Sequence, residues 1–285
     1  MTTDRSRQRQ RARLAVIFVV AEDEAIAAVE GNLWSMWSAF GRGEGCRLVD
    51  EPGLLRFETP LGHTPYNSVM RFRCNDRVDE MIDSVMGSYE QREVPVMWVV
   101  HPTTQPADIH ERLVARGLVE AEIVPGMVAR LGDIPSEDPA PAEVEIAPVT
   151  PQERDSFLEL TAWRYSLPTG AAPTLRSILE TARFGEPGAA TLGWVARLDG
   201  AVVSKVVLHM NAGVAGIYGV ATKPEARGLG LARTLTLCAL HAARRSGVEI
   251  AVLHSTPMAR RLYEGIGFRT VADLVLYSTP DSLHL

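Results

Sequence analysis

Apolar and polar residues follow two rhythms along this chain. In the second half, apolar runs at 144–149, 191–198, 201–210, 214–222, 248–254 and 268–277 have the length and composition of strands. Stretches 151–166, 174–184 and 232–246 repeat their apolar residues every three to four positions, as helices do. Asp199-Gly200, between two of the strand runs, predicts a two-residue hairpin turn. The helix at 232–246 carries Arg244 and Arg245 in its last turn, where the helix dipole favours cations, and Gly247 just beyond its end. Thr256-Pro257 reads as the N-cap and first position of a short helix with Met258, Leu262 and Ile266 on one face. The first half repeats the order. Helices are predicted at 24–40, 78–92 and 107–116, strands at 47–49, 54–58, 67–74 and 95–100, with closing strand material after 116. Both halves read as one mixed α/β layered fold, used twice in tandem.

Residues 133–143, DIPSEDPAPAE, have the composition of a semi-extended linker that packs poorly. The expected organisation is a basic tail (1–13), a first domain (14–132), this linker (133–143) and a second domain (144–285). With 285 residues the chain is long enough for two modest domains. The arginine-rich tail followed by the apolar run 14–21 resembles the start of a signal peptide. Glu22, Asp23 and Glu24 follow at once, without a small-residue cleavage site, so the run is read as a buried strand. No run approaches the ~20 apolar residues of a membrane span. A net charge of −6 without a basic stripe argues against a nucleic-acid partner, and Cys46, Cys74 and Cys238 lack metal-site spacing. A cytoplasmic protein without metal or membrane attachment is expected.

The chemistry concentrates in residues 220–233, VATKPEARGLGLAR. A strand leads into a turn with two glycines and then into a helix, leaving the first helical N–H groups open to an anion such as phosphate. Three phosphate-binding patterns compete. A P-loop needs Gly-Lys-Ser/Thr, which is missing. A dinucleotide fingerprint fits Gly228 and Gly230 but meets Arg233 where its third glycine belongs, and the acidic residue Glu249 starts its strand rather than ending it. The third pattern, Arg/Gln-x-x-Gly-x-Gly/Ala, is met by Arg227, Gly230 and Ala232.

In this pattern, together with Leu262-Tyr263-x-x-x-Gly267-Phe268 after the next strand, the chain resembles the GNAT N-acetyltransferase superfamily. The resemblance covers residues 144–277. It implies two tandem GNAT-like domains, each a central mixed sheet flanked by helices, and an acyl-CoA-dependent N-acyltransferase, in the first instance using acetyl-CoA. The acceptor it implies is a small-molecule, peptide or protein amine attacking directly in a ternary complex. By the same resemblance, Val220, Ala221 and Thr222 align the pantetheine arm through their backbones, and their amides face the developing oxyanion. Arg227, Gly228, Leu229, Gly230, Leu231, Ala232 and Arg233 hold the pyrophosphate. Tyr263 protonates the departing thiolate. Thr256 stands where the family often has Asn, and reads either as a cap or as a donor contact.

Taken by itself, Tyr263 reads as a half-buried aromatic whose hydroxyl binds backbone or water. The general base is open between His209, Glu225, His254 and an ordered water. Trp163, Tyr165 and Trp194 read equally as acceptor-site or core residues, and Trp34, Trp37 and Trp98 as packing. The first half carries Asn75-Asp76-Arg77-Val78 at its turn, without glycine, and Leu113 at the spacing of Tyr263, so it is expected not to catalyse. It is read as shaping the acceptor cleft or stabilising its twin. A non-catalytic acyl-CoA sensor and, less well, a nucleotide-dependent oxidoreductase are the alternatives.

Overall fold

The computed structural model describes residues 21–136, 138 and 140–280. The tail at 1–13, most of the apolar run 14–21 and the last five residues lie outside these. The first half runs α1 (Glu22–Ser38), β1 (Arg47–Glu51), β2 (Leu54–Glu58), β3 (Ser68–Phe72), α2 (Val78–Glu90), β4 (Met97–Val100), α3 (Ile109–Val114) and β5 (Val119–Arg130). The second runs β6 (Val144–Pro148), α4 (Arg154–Arg164), α5 (Ala172–Thr181), β7 (Thr191–Leu198), β8 (Ala201–Asn211), β9 (Val214–Thr222), α6 (Leu231–Arg245), β10 (Ile250–His254), α7 (Arg260–Glu264) and β11 (Arg269–Ser278). The order β1-β2-β3-α2-β4-α3-β5 of the first half recurs as β7-β8-β9-α6-β10-α7-β11 in the second.

The two halves share one eleven-stranded mixed sheet, ordered β1-β2-β3-β4-β11-β5-β10-β9-β8-β7-β6. Each half lends its last strand to the other. β5 enters antiparallel beside β10, with Arg130 facing Ile250 and Gly126 facing His254. In return β11 pairs antiparallel with β4, Val275 facing Val100 and Ser278 facing Met97. β5 and β11 also pair with each other along most of their lengths. Alternation along β5 serves both faces: Met127 and Ala129 join the apolar cluster under α6, while Val124 and Val128 join the one under α1.

Local signals set the elements well. α6 starts within a residue of its expected position and buries Leu231, Leu235, Ala239 and Ala243, one stripe at a spacing of four. Asp199 and Gly200 take φ of 50° and 79°, the paired left-handed residues of a primed hairpin turn. Thr150 and Glu153 form a capping box ahead of α4.

Two expectations need correction. The short helix does not start at Thr256-Pro257: residues 257–259 form a turn and α7 begins at Arg260. Met258 is 88% exposed, so only Leu262 and Ile266 of the expected face pack inward. The segment 133–143 is also more firmly packed than its composition suggests. Ile134 and Ala140 join the cluster under α6, His241 Nε2 bonds to the Pro135 carbonyl (2.8 Å), and Arg233 pairs with Asp138.

Candidate active site

Backbone pairing decides where the sheet opens. β9 runs parallel to β10 only over Val214 to Ile217, opposite Ile250 to Leu253. Beyond that point β9 continues to Thr222 on its β8 edge alone, while β10 ends at His254. A bulge lies at the parting. Val207 faces Tyr218 and Lys205 faces Ala221, so Gly219 and Val220 share the place opposite Val206. Gly219 takes a φ of 55°, a conformation costly for other residues. From Tyr218 to Thr222, β9 therefore presents an edge with no strand partner among the described residues, its N–H and C=O groups left to pair elsewhere.

This edge leads to the expected anion turn. A single 3-10 turn at Pro224–Ala226 reverses the chain, and Gly228 and Gly230 follow with φ of 83° and 75°. Gly230 caps α6 without any side-chain bond, so the first amides of that helix point outward. Ala226 and Leu231 are buried and Leu229 packs on the same cluster, which fixes the loop from below. A Cβ built on either glycine would meet no atom of the described residues within 4 Å. Open amides at a helix N-terminus, with the exposed Arg227 beside them, suit a phosphate group. The Arg233 side chain is engaged elsewhere, with Asp138 Oδ2 at 2.7 Å and the Gly265 carbonyl at 3.1 Å, so what it offers an anion is its backbone N–H.

The Tyr263–Phe268 segment has a clear local logic. The Tyr263 carbonyl accepts bonds from the amides of Ile266, Gly267 and Phe268 at 3.0 to 3.2 Å, and Gly267 takes a φ of 113° to close the turn. Phe268 then meets the Tyr263 ring edge-to-face at 6.1 Å. Both rings belong to the cluster that holds Leu231 and against which Val220 and Leu229 pack, so the anion turn, the open edge and Tyr263 share one support. Burial pushes the Tyr263 phenol up to about 12, which keeps its proton at neutral pH. Thr256 lies at the start of the same segment, and its carbonyl accepts the amides of Ala259 and Arg260.

The equivalent opening in the first half is closed by the chain itself. β3 and β4 pair in parallel only at Ser68–Met97 and Val69–Trp98, and the segment after β4 then returns to β3. The Gln105 amide donates to the Phe72 carbonyl (3.0 Å) and the Cys74 amide donates to the Gln105 carbonyl (3.3 Å). These bonds occupy the edge that is open in β9. Leu113 is fully buried and its carbonyl accepts the Leu118 amide, the same turn as Tyr263–Phe268 but with no hydroxyl.

Over the opposite face of the second half's sheet lies α1, a helix from the first half. Asn32 Nδ2 donates to the Val214 carbonyl (3.0 Å), and the Tyr218 hydroxyl donates to Asn32 Oδ1 (2.8 Å). A Cβ on Gly216 would overlap that amide oxygen, so glycine there lets the helix approach. His209 is held at both nitrogens, Nε2 against Ser35 Oγ (2.9 Å) and Nδ1 against Thr191 Oγ1 (2.8 Å). Burial lowers it to about 4, and a neutral imidazole with both nitrogens engaged is a poor proton acceptor. Glu225 is exposed in the 3-10 turn. His254 stacks on Tyr218 at 6.4 Å and burial lowers it to about 4. Both its ring nitrogens are buried, with no partner among the described residues.

The uncommitted aromatics separate. Trp194 packs in the cluster under α6, and Tyr165 meets Tyr66 of the first half edge-on at 5.8 Å. Trp163 is 42% exposed and, with Glu159, Arg197 and Lys223, lines a cavity of about 260 Å³ between α4 and the β7–β8 hairpin. Trp98 is fully buried and Trp37 stacks on Phe40, as packing residues do. Sequence reasoning missed Asn32, Tyr218, Gly219 and Lys205. Lys205 alone left a signal, a lysine inside a largely apolar strand.

Among the described residues no helix is long and apolar enough to cross a membrane, and no group of three or more His, Cys, Asp or Glu is placed to hold a metal ion. Residues 157–268 match the model of the acetyltransferase (GNAT) family. A mycothiol acetyltransferase of Thermomonospora curvata is 43% identical over 67 residues, 22% of this chain and 23% of that protein, so the match spans under a quarter of the relative's length. A solved GCN5-related N-acetyltransferase from Kribbella flavida superposes with a TM-score of 0.64 at 19% identity, over 89% of this chain and 95% of that one. A tandem GNAT protein from the clavulanic acid biosynthesis pathway superposes with a TM-score of 0.59 at 14% identity, over 91% and 95%. At such identities these structures establish a shared fold, and their coverage extends it to both halves.

Proposed function

We infer, from the match of residues 157–268 to the GNAT acetyltransferase family model, an acetyl-CoA-dependent N-acetyltransferase with one active site, in the C-terminal half. The observation that carries the reading is the unpaired edge of β9 from Tyr218 to Thr222, ending at the open amides after Gly230. Along that edge Val220, Ala221 and Thr222 bond the amides of a pantetheine arm. Arg227 and the backbone of Gly228 to Arg233 receive the pyrophosphate, and Thr256 flanks the arm from the end of β10. The donor supplies an acyl thioester. An uncharged amine attacks its carbonyl directly, and the bulge amides at Gly219 and Val220 stabilise the charge developing on oxygen. The C–S bond breaks as the Tyr263 phenol gives its proton to the departing thiolate, and the proton lost by the nitrogen restores the phenol. The acceptor amine, on a small molecule or a peptide, approaches from the face covered by α1 and α4. The first half, its own groove closed by Gln105, contributes α1 as part of that cover.

Isothermal calorimetry with acetyl-CoA, followed by thiol release in the presence of a panel of amines, tests the reading. Gly230→Glu brings a side chain into a left-handed position and a negative charge beside the phosphate site. It should weaken acetyl-CoA binding at least tenfold, or about 1.4 kcal/mol. Unchanged affinity in a folded variant would remove the phosphate assignment.

A further inference from the structure

Among the 29 lysine and arginine residues of the chain only two are lysine, Lys205 and Lys223. Both lie at the candidate site, one beside the bulge and the other just before the anion turn. Everywhere else arginine serves as the cation. The two are not equivalent chemically, since a guanidinium stays charged while an amine can lose its proton and become a nucleophile.

Lys205 occupies an unusual place for a cation. It is 2% exposed, on the face of β8 that carries Val207 and His209. Its Nζ donates to Thr161 Oγ1 of α4 and sits 4.3 Å from the centre of the Phe157 ring. Among the described residues no carboxylate pairs with it, and the charge it senses is the like charge of Arg164. A buried ammonium without a counter-ion is expensive, so the amine is driven toward its neutral form. Burial, with Arg164 adding to it, lowers it to about 7. The amine also lies beside the bulge. Nζ lies 3.9 Å from where a Cβ on Gly219 would stand, on the bulge where β9 parts from β10. Neither the backbone cradle for the donor nor Tyr263 uses this group.

Resting on the acetyl-CoA reading above, we propose that Lys205 is itself an acyl acceptor, so that the site acetylates its own lysine when no amine substrate stands before it. The Nζ lone pair attacks the thioester carbonyl carbon. A C–N bond forms, the C–S bond breaks, and one Nζ proton ends on the departing thiolate. The products are an acetyl-lysine amide at Lys205 and free CoA thiol, with no oxidation or reduction.

The test incubates the full-length protein with acetyl-CoA and no added amine, then maps acetyl groups by peptide mass spectrometry. With only two lysines the map is unambiguous, and hydroxylamine treatment removes any acetyl thioester on cysteine. Lys205 should gain one acetyl group at least about tenfold faster than Lys223, because it is held against the carbonyl. Gly230→Glu should abolish that modification. Lys205→Met should bind acetyl-CoA with unchanged affinity and give no acetylated peptide at position 205. Acetyl-CoA binding by calorimetry while Lys205 stays unmodified would overturn the proposal and leave the functional reading standing. Equal modification of both lysines in the wild type and in Gly230→Glu would overturn it as well. If acetyl-CoA does not bind, the functional reading falls first and this one with it.

Discussion

Tyr263 holds two positions at once. Its ring seals the turn against Phe268, and its phenol, raised by burial, keeps its proton at neutral pH, as the proposed acid must. Tyr263→Phe keeps the packing and removes only the hydroxyl. It should lower kcat by about 10²-fold, the low end for a general acid, with acetyl-CoA affinity unchanged. An undiminished rate in thiol-release assays would return the residue to a purely packing role. Three buried histidines make a second prediction at this scale. Burial lowers His101 to about 3 and both His209 and His254 to about 4, against an ordinary value near ~6.5. Below that ordinary value the unfolded chain takes up protons that the folded protein refuses. Their contribution to stability is therefore complete above pH ~6.5 and is lost as pH falls toward about 4, each histidine adding a slope of at most about 1.4 kcal/mol per pH unit. Urea midpoints should drop across that window, and His254→Phe should flatten the drop. A midpoint independent of pH there would contradict the neutral, buried assignment.

Among the elements, α1 shows how far local reading goes. Its apolar residues Ala25, Val29 and Leu33 mark the inward stripe, and the helix lies close to its expected span. The polar residues Glu30, Asn32 and Ser38 are buried as well, which the apolar period does not reveal. Asn32 bonds across to β9, a contact 182 residues away in sequence to Val214 and 186 to Tyr218. Asn32→Ala should destabilise the protein by about 1–3 kcal/mol by leaving the Val214 carbonyl and the Tyr218 hydroxyl without their partner. Denaturation with an unchanged midpoint would show that water replaces the amide at no cost. In α6, by contrast, stripe, glycine entry, basic last turn and Gly247 exit were all legible, because each is a local property of consecutive residues. At α7 the capping signal of Thr256-Pro257 gave way, since nothing apolar covers Met258 to extend the helix back.

Across the whole molecule, the exchange of β5 and β11 makes the halves interdependent. β5 fills the gap between β10 and β11, and it brings Met127 and Ala129 to the cluster that supports Tyr263 and the anion turn. The C-terminal half expressed alone, residues 133–285, lacks that strand and would expose two long apolar edges. It should be unfolded or aggregated by circular dichroism and NMR dispersion, although it carries every expected donor-binding residue. A well-dispersed, acetyl-CoA-binding fragment would show that the exchange is dispensable.

By itself the sequence determined what depends on neighbours along the chain: which segments are helix or strand, the hairpin at Asp199-Gly200, the glycine turn ahead of α6, the Tyr263–Phe268 turn and the doubling of the pattern. Tertiary structure alone decided what depends on pairing between distant edges. It joined both halves in one sheet and closed the first groove with Gln105 while leaving β9 open. It also buried Lys205 beside Gly219. The physical reason is that periodicity reports which face of an element is apolar, whereas a strand edge offers the same N–H and C=O groups whatever its residues. Only the folded chain determines which edge is satisfied by protein and which is left for a ligand.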